Sequence, residues 1–350
     1  MPVGPRELLL LFIYGMLHIA SALPDSEDGS CAGGAPEVGA LACARALRAP
    51  PAVALRGGEF EGTEFWDENE ALLQEAWREL GQLHPYVYNP KPEQALTPSV
   101  ARALAEPDPV EALLALTTET TVSGVYALEL LSPSFCNDLQ EELAHLRARS
   151  AAAPRDAHTF RIPMRTARLE LTARRAPRSK IPMRRPNGMN RYGAILSDLG
   201  FRDGLLRLLA TRVAAPLAQR LFPELVRAPE VEDYYGFSVR YEAAGGDTEL
   251  AEHADAACAT LNVCLGPGAP RGAPGFAGGA LLFRGVRFVD PSAAERPQRA
   301  VEHRPGVALL HLGQHLHQAA PIARGARENV VLWLHGAGGW VRVQPYPAPA

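Results

Sequence analysis

The chain has 350 residues and a formal net charge of −4, with 47% hydrophobic and 21% charged residues. This composition is ordinary for a globular protein, and the length is sufficient to bury one sizeable core plus a smaller region. The weak negative charge gives no basis for general nucleic-acid binding. Outside the N-terminus, no stretch is long and apolar enough to span a bilayer.

Residues 1–22 have the pattern of a secretory signal. Arg6 precedes an apolar run at 8–17, and the small residues Ala-Ser-Ala at 20–22 form a cleavage site. Cleavage predicts a protein of the secretory lumen, or a secreted one, without a transmembrane span. Because Glu7 weakens the positive flank, an uncleaved membrane anchor and an organellar leader are the alternatives.

Residues 23–124 are predicted to hold a flexible segment and a small helical region. The composition is rich in Gly, Ala and Pro up to about residue 58. Residues 68–83 have apolar positions at helical spacing, and residues 98–116 predict short helices broken by Pro107 and Pro109. This region is interpreted as a helical cap or as a partner-binding element.

A strand is predicted at 125–131, followed by a helix at about 133–149. Ser132 or Ser134 is the expected cap of that helix. The inward residues of the helix are predicted to be Leu139, Leu143 and Leu146.

The stretch 155–191 is strongly basic, and a solvated insertion is favoured there over a substrate- or anion-binding loop. At its end, Asn187, Asn190 and Tyr192 form a polar, aromatic motif. We interpret these three residues as either a structural turn or the mouth of a substrate site.

A helical pattern at 205–221 contains Pro216, which is expected to kink or split the helix. From residue 234 onward, short strands alternate with Gly- and Pro-rich turns, which is typical of an all-β double sheet or jelly roll. The apolar run at 258–265 predicts a strand, on which Thr260 and Asn262 share one face. The predicted fold is therefore mainly β with flanking helices, and the loop at 266–279 is a candidate flap near the site.

The residues that carry chemistry lie in this second half. His253 and Asp255 are two apart, so on an extended segment they point to the same face and can reach one metal ion. A third ligand must come from elsewhere, and metal chemistry alone does not choose among His311, His315 and His317. Two His and one carboxylate are the ligands of many Fe(II) oxygenases.

An arginine stands at the start of the last predicted strand, 328–334. The guanidinium of Arg327 can bind a carboxylate through two parallel hydrogen bonds, so one such residue facing the site can hold a dicarboxylate. Taken alone, it can equally be a solvated charge at a strand end.

Together these motifs resemble the Fe(II)/2-oxoglutarate dioxygenase domain, in the branch of the prolyl 4-hydroxylases and lysyl hydroxylases. The segments that carry the resemblance are Tyr241, His253-x-Asp255, Gly-Gly-Ala-Leu-Leu-Phe at 278–283, Arg-Pro-Gly at 304–306, His-Gln-Ala-Ala-Pro at 317–321, Arg327 and Trp333. In that branch the basic residue that binds 2-oxoglutarate follows the distal His by ten residues. This spacing selects His317 over the other two histidines. The resemblance covers about 125–340, and a Pro-rich tail follows at 341–350.

The resemblance implies a role for each matching residue. His253, Asp255 and His317 would bind Fe(II), and Arg327 would pair with the cosubstrate 2-oxoglutarate. Tyr241, Thr260 and Asn262 would contribute further cosubstrate hydrogen bonds, although for each of them a purely structural place in the interior is the alternative. Ascorbate is the expected accessory reductant.

The implied activity is that of a dioxygenase, an oxidoreductase that incorporates O2. It would hydroxylate a protein side chain of prolyl or lysyl type, or a small molecule, and release succinate and CO2. The alternative is a catalytically silent binding module that keeps the dioxygenase fold. Against this alternative stands the full set of predicted iron and cosubstrate residues.

Overall fold

The structure is a computed structural model that describes residues 73–78, 80–151, 181–183, 193–223, 226, 233–267, 275–287, 289–290 and 292–336, all within the unit Pro51–Ala350. The predicted signal, the flexible segment up to about residue 58, most of the basic stretch 155–191 and the Pro-rich tail lie outside the described residues. The same holds for Asn187, Asn190 and Tyr192. These predictions stay predictions. In the described part of the chain, no helix is long and apolar enough to cross a membrane.

The N-terminal helical region consists of short helices that begin with proline. Residues 73–78 are helical, and a 3-10 turn lies at Pro85–Val87. Helices α1 (Pro92–Ala95), α2 (Pro98–Ala103) and α3 (Pro109–Ala115) follow. Proline fits the first helical position because its missing N–H would have no partner there. Of the two predicted breaks, Pro109 is the first residue of α3, whereas Pro107 lies in the loop before it.

Strands β1 (Thr118–Glu119) and β2 (Val125–Glu129) lead into the long helix α4 (Pro133–Arg149). The Ser132 hydroxyl accepts a hydrogen bond from the backbone N–H of Phe135 at 3.2 Å, so Ser132 is the cap of α4. The residues predicted to face inward are buried, namely Leu139, Leu143 and Leu146. The sequence pattern thus predicted both the bounds and the buried face of this helix.

Residues 202–221 form a helical stretch in four segments. Two π-helical segments, Arg202–Leu206 and Ala210–Ala214, alternate with α5 (Arg207–Leu209) and α6 (Ala215–Leu221). Pro216 lies in the first turn of α6, directly after a π-helical segment. Proline has no N–H to continue the helical hydrogen bonds, and the π-helical segment before it has a different bonding pattern. The stretch is therefore irregular, but it is not split in two.

The remaining elements are strands. They are β3 (Ser150–Ala151), β4 (Ile181–Pro182), β5 (Ala194–Ile195), β6 (Asp233–Glu242), β7 (Leu250–His253), β8 (Ala259–Gly266), β9 (Ala277–Gly278), β10 (Leu281–Val286), β11 (Arg299–Val301), β12 (Val307–Leu312), β13 (His315–Ala319), β14 (Ile322–Arg324) and β15 (Ala326–His335). A second 3-10 turn lies at Ala293–Glu295.

Two antiparallel sheets make the body of the protein. The larger sheet has the order β1-β2-β12-β8-β15-β6-β5, and the smaller has the order β11-β10-β13-β7. From β6 to β15 the chain passes repeatedly between the two sheets, which is the topology of a jelly roll. The predicted fold class, mainly β with flanking helices, is confirmed.

Strand β8 separates two hydrophobic cores. Leu261, Val263 and Leu265 belong to the core that includes the buried face of α4, whereas the second core takes Phe237 and Leu309 from the larger sheet and Phe283 from the smaller. Side chains alternate along a strand, so Thr260 and Asn262 face the second core, between the two sheets. The interior between the sheets is therefore where polar site residues of β8 must lie.

A buried ion pair joins α4 to β15. Arg147 forms two hydrogen bonds with the Glu328 carboxylate, which is fully buried, and Arg240 lies 4.0 Å from the same carboxylate. We expect Arg147→Ala to lower the free energy of unfolding by about 3 kcal/mol, because it leaves a buried carboxylate poorly paired.

Chemical denaturation of both the variant and a control measures this effect. Arg220 and Glu111 form a half-exposed pair, so Arg220→Ala should cost less than about 1 kcal/mol. Equal losses in the two variants would contradict the assigned importance of the α4–β15 pair.

Candidate active site

Three potential metal ligands converge where β7 meets β13. His253 ends β7 and is the direct cross-strand partner of His317 on β13. Asp255 follows β7 and lies between them, with Oδ1 3.3 Å from Nε2 of His253 and Oδ2 3.7 Å from Nε2 of His317. One ligand atom from each residue lies within 4.8 Å of the other two. This is a suitable arrangement for one cation with a facial set of ligands.

Backbone carbonyls orient both histidine rings. Nδ1 of His253 lies 2.8 Å from the carbonyl oxygen of Ala251, and Nδ1 of His317 lies 2.8 Å from that of His315. Each Nδ1–H can donate to its carbonyl, so in both rings the lone pair stays on the Nε2 that faces Asp255. Metal-binding histidines usually have their second nitrogen fixed in this way.

Asp255 is held from both its backbone and its side chain. Its N–H donates to the Gly313 carbonyl at 2.7 Å, and Gln314 Nε2 donates to its carbonyl at 3.1 Å. The Thr260 hydroxyl donates to Oδ2 at 2.7 Å. Burial by itself raises the pKa of Asp255, but His317 and then His253 hold the pKa well below the usual value. The carboxylate is therefore ionised and available to a cation.

The structure also distinguishes the three candidate histidines. His317 faces Asp255, whereas His311 and His315 are not among the ligand atoms that converge. Burial lowers the pKa of His311 to about 3 and that of His315 to about 4. The structure thus brings together the same three residues that the sequence motifs selected, His253, Asp255 and His317.

Arg327 lies at the start of β15 and is 1% exposed. Its cross-strand partner is Tyr241, and the guanidinium carbon lies 4.9 Å from the centre of the Tyr241 ring. One terminal nitrogen donates to the Gly279 carbonyl. Burial raises the pKa of Tyr241 to about 12, although Arg327 acts in the opposite direction, so the phenol is neutral.

One edge of the Arg327 guanidinium has no partner among the described residues. The atoms concerned are Nε and one Nη. A buried cation with unused N–H groups requires an anion, and two adjacent N–H groups match a carboxylate. Gly279, in a left-handed conformation at φ 73°, lets the guanidinium approach closely on its other side, since a Cβ would lie 3.2 Å from the Nη that donates to the Gly279 carbonyl. The arrangement therefore fits 2-oxoglutarate, as the three ligands fit Fe(II).

Thr260 and Asn262 both have hydrogen-bond partners in the protein interior, which was the structural alternative for each of them. Thr260 donates to Asp255, so it orients a ligand group. Asn262 Oδ1 accepts a hydrogen bond from Asn329 Nδ2 at 2.8 Å, and the same Nδ2 lies 3.3 Å from Nδ1 of His303. Both residues face the interior, as their shared strand face predicted, and cosubstrate bonds for them remain a prediction.

Sequence reasoning missed the role of Phe283. Its ring stacks on His317 at 5.6 Å between centres and meets His311 and His315 edge-on at 5.2 and 5.1 Å. The Gly-Gly-Ala-Leu-Leu-Phe motif contained this residue, but nothing local to it indicated a contact with the histidines. Phe283 packs against the site and keeps its inner side apolar.

A separate cavity of about 500 Å³ is lined by residues that include Trp77, Tyr88 and Arg202. None of the residues that line it is a histidine, and none belongs to the site between β7 and β13. The candidate active site is therefore identified by the convergent ligand atoms and not by this cavity.

We expect Thr260→Val to weaken metal binding by about 10-fold, because it removes the hydrogen bond that orients Asp255 while keeping a β-branched side chain. Titration with Mn(II) measures the change. Thr118→Val, on the exposed strand β1, is the matched control. An unchanged affinity in Thr260→Val would show that Asp255 does not need this donor.

The chain matches known proteins over much of its length. Residues 78–158 and 166–227 match the OGFOD2-like domain family. The human "2-oxoglutarate and iron-dependent oxygenase domain-containing protein 2" is 33% identical over 258 residues, which are 72% of this chain and 62% of that protein. The Arabidopsis thaliana protein "ICU11" of the same description is 30% identical over 259 residues, 73% of this chain and 56% of that protein. The chain spans little more than half the length of ICU11.

Solved structures give weaker similarities. A Pseudomonas putida prolyl-4-hydroxylase is 14% identical, with 65% of this chain and 100% of that chain covered at a TM-score of 0.38. A prolyl 4-hydroxylase from Phytophthora capsici is also 14% identical, with 71% and 70% covered at a TM-score of 0.39.

The sequence matches agree with the family resemblance predicted from the motifs. The chain therefore carries an OGFOD2-like domain and is a relative of the 2-oxoglutarate and iron-dependent oxygenase domain-containing proteins.

Proposed function

We propose that this chain is an Fe(II)- and 2-oxoglutarate-dependent dioxygenase that hydroxylates a protein side chain of prolyl or lysyl type. The observation that carries the proposal is the convergence of His253, Asp255 and His317, whose ligand atoms lie within 4.8 Å of one another. This donor set holds Fe(II) on one face and leaves the other positions open.

The protein's own residues prepare the metal site. The Ala251 and His315 carbonyls and the Thr260 hydroxyl fix the three ligands before any cation binds, so little side-chain entropy is lost on binding. When bound, Fe(II) would activate O2: one oxygen atom would be used in the oxidative decarboxylation of 2-oxoglutarate to succinate and CO2, and the other would hydroxylate the substrate.

Arg327 is the proposed anchor for the far carboxylate of 2-oxoglutarate. Its free guanidinium edge faces a buried interior, where a charge-assisted hydrogen bond is stronger than in water. Tyr241 limits the movement of the guanidinium by stacking beside it. The neutral Tyr241 phenol is a further candidate donor to the cosubstrate.

The substrate class, the accessory reductant and the compartment belong to the proposal as well. A prolyl or lysyl side chain follows from the motifs of that hydroxylase branch, and ascorbate would keep the iron reduced. From the predicted signal at 1–22, we propose that the reaction takes place in the secretory lumen or outside the cell.

Succinate formation tests the proposed function. Purified protein with Fe(II), 2-oxoglutarate, ascorbate and peptides containing Pro or Lys is expected to form succinate, and one peptide is expected to gain the mass of an oxygen atom. Failure to bind Fe(II), together with no succinate above a metal-free control, would contradict the proposal and favour a silent binding module.

A further inference from the structure

His311 holds an unused hydrogen-bond acceptor inside the jelly roll. The residue lies on β12 and is fully buried. Nδ1 lies 2.8 Å from the Leu312 carbonyl oxygen, to which it can donate, and Nε2 has no partner among the described residues. A neutral imidazole that donates through Nδ1 keeps its lone pair on Nε2. Leaving such an acceptor unpaired in the interior is costly, so a partner is expected.

The position of His311 is next to the candidate metal centre. Its cross-strand partner on β8 is Thr260, the residue that donates to Asp255. The His311 ring centre lies 4.8 Å from that of His317. However, His311 is not one of the residues whose ligand atoms converge. It therefore lies beside the metal ligands without being one of them.

The partner of an acceptor must be a hydrogen-bond donor, and no nearby protein donor bonds to Nε2. The ring nitrogens of His315 also have no partner among the described residues, but its ring centre lies 6.3 Å from that of His311 and no hydrogen bond joins the two rings. The Thr260 hydroxyl donates to Asp255, and the Nδ1–H groups of His253 and His317 face backbone carbonyls. The indole N–H of Trp333 has no partner among the described residues, but β15 is separated from β12 by β8, which places their backbones roughly 10 Å apart.

The cosubstrate is not the partner either, because the carboxylates and the oxo group of 2-oxoglutarate are acceptors. A water molecule that completes the coordination of a cation is a donor, and the cation strengthens it as one. The open positions of the site described above are where such a water would bind.

We propose that His311 is a positioning residue whose Nε2 accepts a hydrogen bond from a water molecule bound to the metal ion. The inference rests on the proposed metal site and adds a fourth side chain to it. Removal of a group that hydrogen-bonds to a metal ligand, without binding the metal itself, typically weakens the affinity of the protein for the metal by about 10- to 100-fold.

Two substitutions of similar size separate this role from simple packing. In His311→Asn the amide takes the place of Nδ1 and keeps a donor for the Leu312 carbonyl, but it has no acceptor at the position of Nε2. In His311→Gln the side chain reaches that position and supplies an acceptor oxygen. Each variant therefore keeps one of the two hydrogen bonds of His311 and loses the other, and both stay polar.

The dissociation constant for Mn(II), followed by the paramagnetic resonance of the free ion, is the first readout. We expect His311→Asn to bind Mn(II) about 10-fold more weakly than wild type, and His311→Gln to stay within about 3-fold. Equal affinity in all three proteins would overturn the inference, and so would equal weakening in both variants, since that result indicates packing. If wild type itself binds no Mn(II) while folded, the proposed function fails as well.

A second measurement uses the wild-type protein, so it does not depend on folding of the variants. The ¹⁵N resonance of His311 Nε2 is assigned by its absence from the spectrum of His311→Gln or His311→Asn, whichever folds. This resonance is expected to shift when Zn(II) binds, in the direction of a new hydrogen bond to an acceptor nitrogen. An unchanged resonance in metal-loaded protein would contradict the inference while leaving the metal site itself supported.

Discussion

Asp255→Ala is expected to abolish Fe(II) binding and 2-oxoglutarate turnover together. The substitution removes the one carboxylate between the two histidines, which is also the acceptor of the Thr260 hydroxyl. Two imidazoles without the carboxylate hold a hard divalent cation weakly, because the negative charge that attracts the cation is gone. Calorimetric titration with Mn(II) and succinate formation with Fe(II) measure the two effects.

The matched control for this experiment is Glu129→Ala, which removes an exposed carboxylate paired with Arg304 at 3.6 Å. Both variants are expected to fold, as judged by circular dichroism, and only Asp255→Ala should lose the metal. Normal turnover in Asp255→Ala would show that the reaction does not depend on the three convergent ligands.

In Arg327→Met, 2-oxoglutarate is expected to have no effect on the free energy of unfolding. In wild type, the cosubstrate at about 100 times its dissociation constant should raise the free energy of unfolding by about 2.7 kcal/mol. The variant should lose this increase. Because Met removes a buried guanidinium with unused N–H groups, the ligand-free variant should be at least as stable as ligand-free wild type.

Arg327→Lys separates charge from geometry. Lysine keeps the positive charge but lacks the two parallel donors, so we expect KM for 2-oxoglutarate to rise at least about 10-fold, in line with the loss of one charge-assisted hydrogen bond. Arg324→Met, on the exposed part of β14, is the control for removing an arginine. An unchanged KM in Arg327→Lys would mean that another group binds the carboxylate.

Local patterns predicted much of this fold. The serine before α4 and the apolar spacing along it were sufficient for its bounds, because capping and burial act within a few turns. The apolar run after Asp255 likewise predicted β8 and the shared face of Thr260 and Asn262. These features depend on residues that are neighbours in sequence.

The third metal ligand could not be chosen from local sequence patterns alone. Spacing alone left His311, His315 and His317 equivalent, and only the ten-residue step to Arg327 in the family resemblance chose among them. The structure separates them because the β7–β13 register places His317 opposite His253. Strand register between distant segments is set by the whole core, so a single sequence does not reveal it.

The hydrogen bonds between buried polar side chains could not be predicted from the sequence either. Thr260 was predicted to face inward, but its bond to Asp255 depends on how the chain turns after β7. Arg147 and Glu328 are 181 residues apart, and neither local sequence indicates the other. Such pairs form only when α4 and β15 pack, which makes them consequences of the tertiary structure.

The most direct test of the account is an oxygen-free calorimetric titration of the protein with 2-oxoglutarate, with and without Mn(II). The account predicts that one 2-oxoglutarate binds per chain when the metal is present, that binding is much weaker without metal, and that Arg327→Met and Asp255→Ala both abolish it. Binding that is independent of the metal, or that persists in both variants, would contradict the claim that His253, Asp255, His317 and Arg327 form one site.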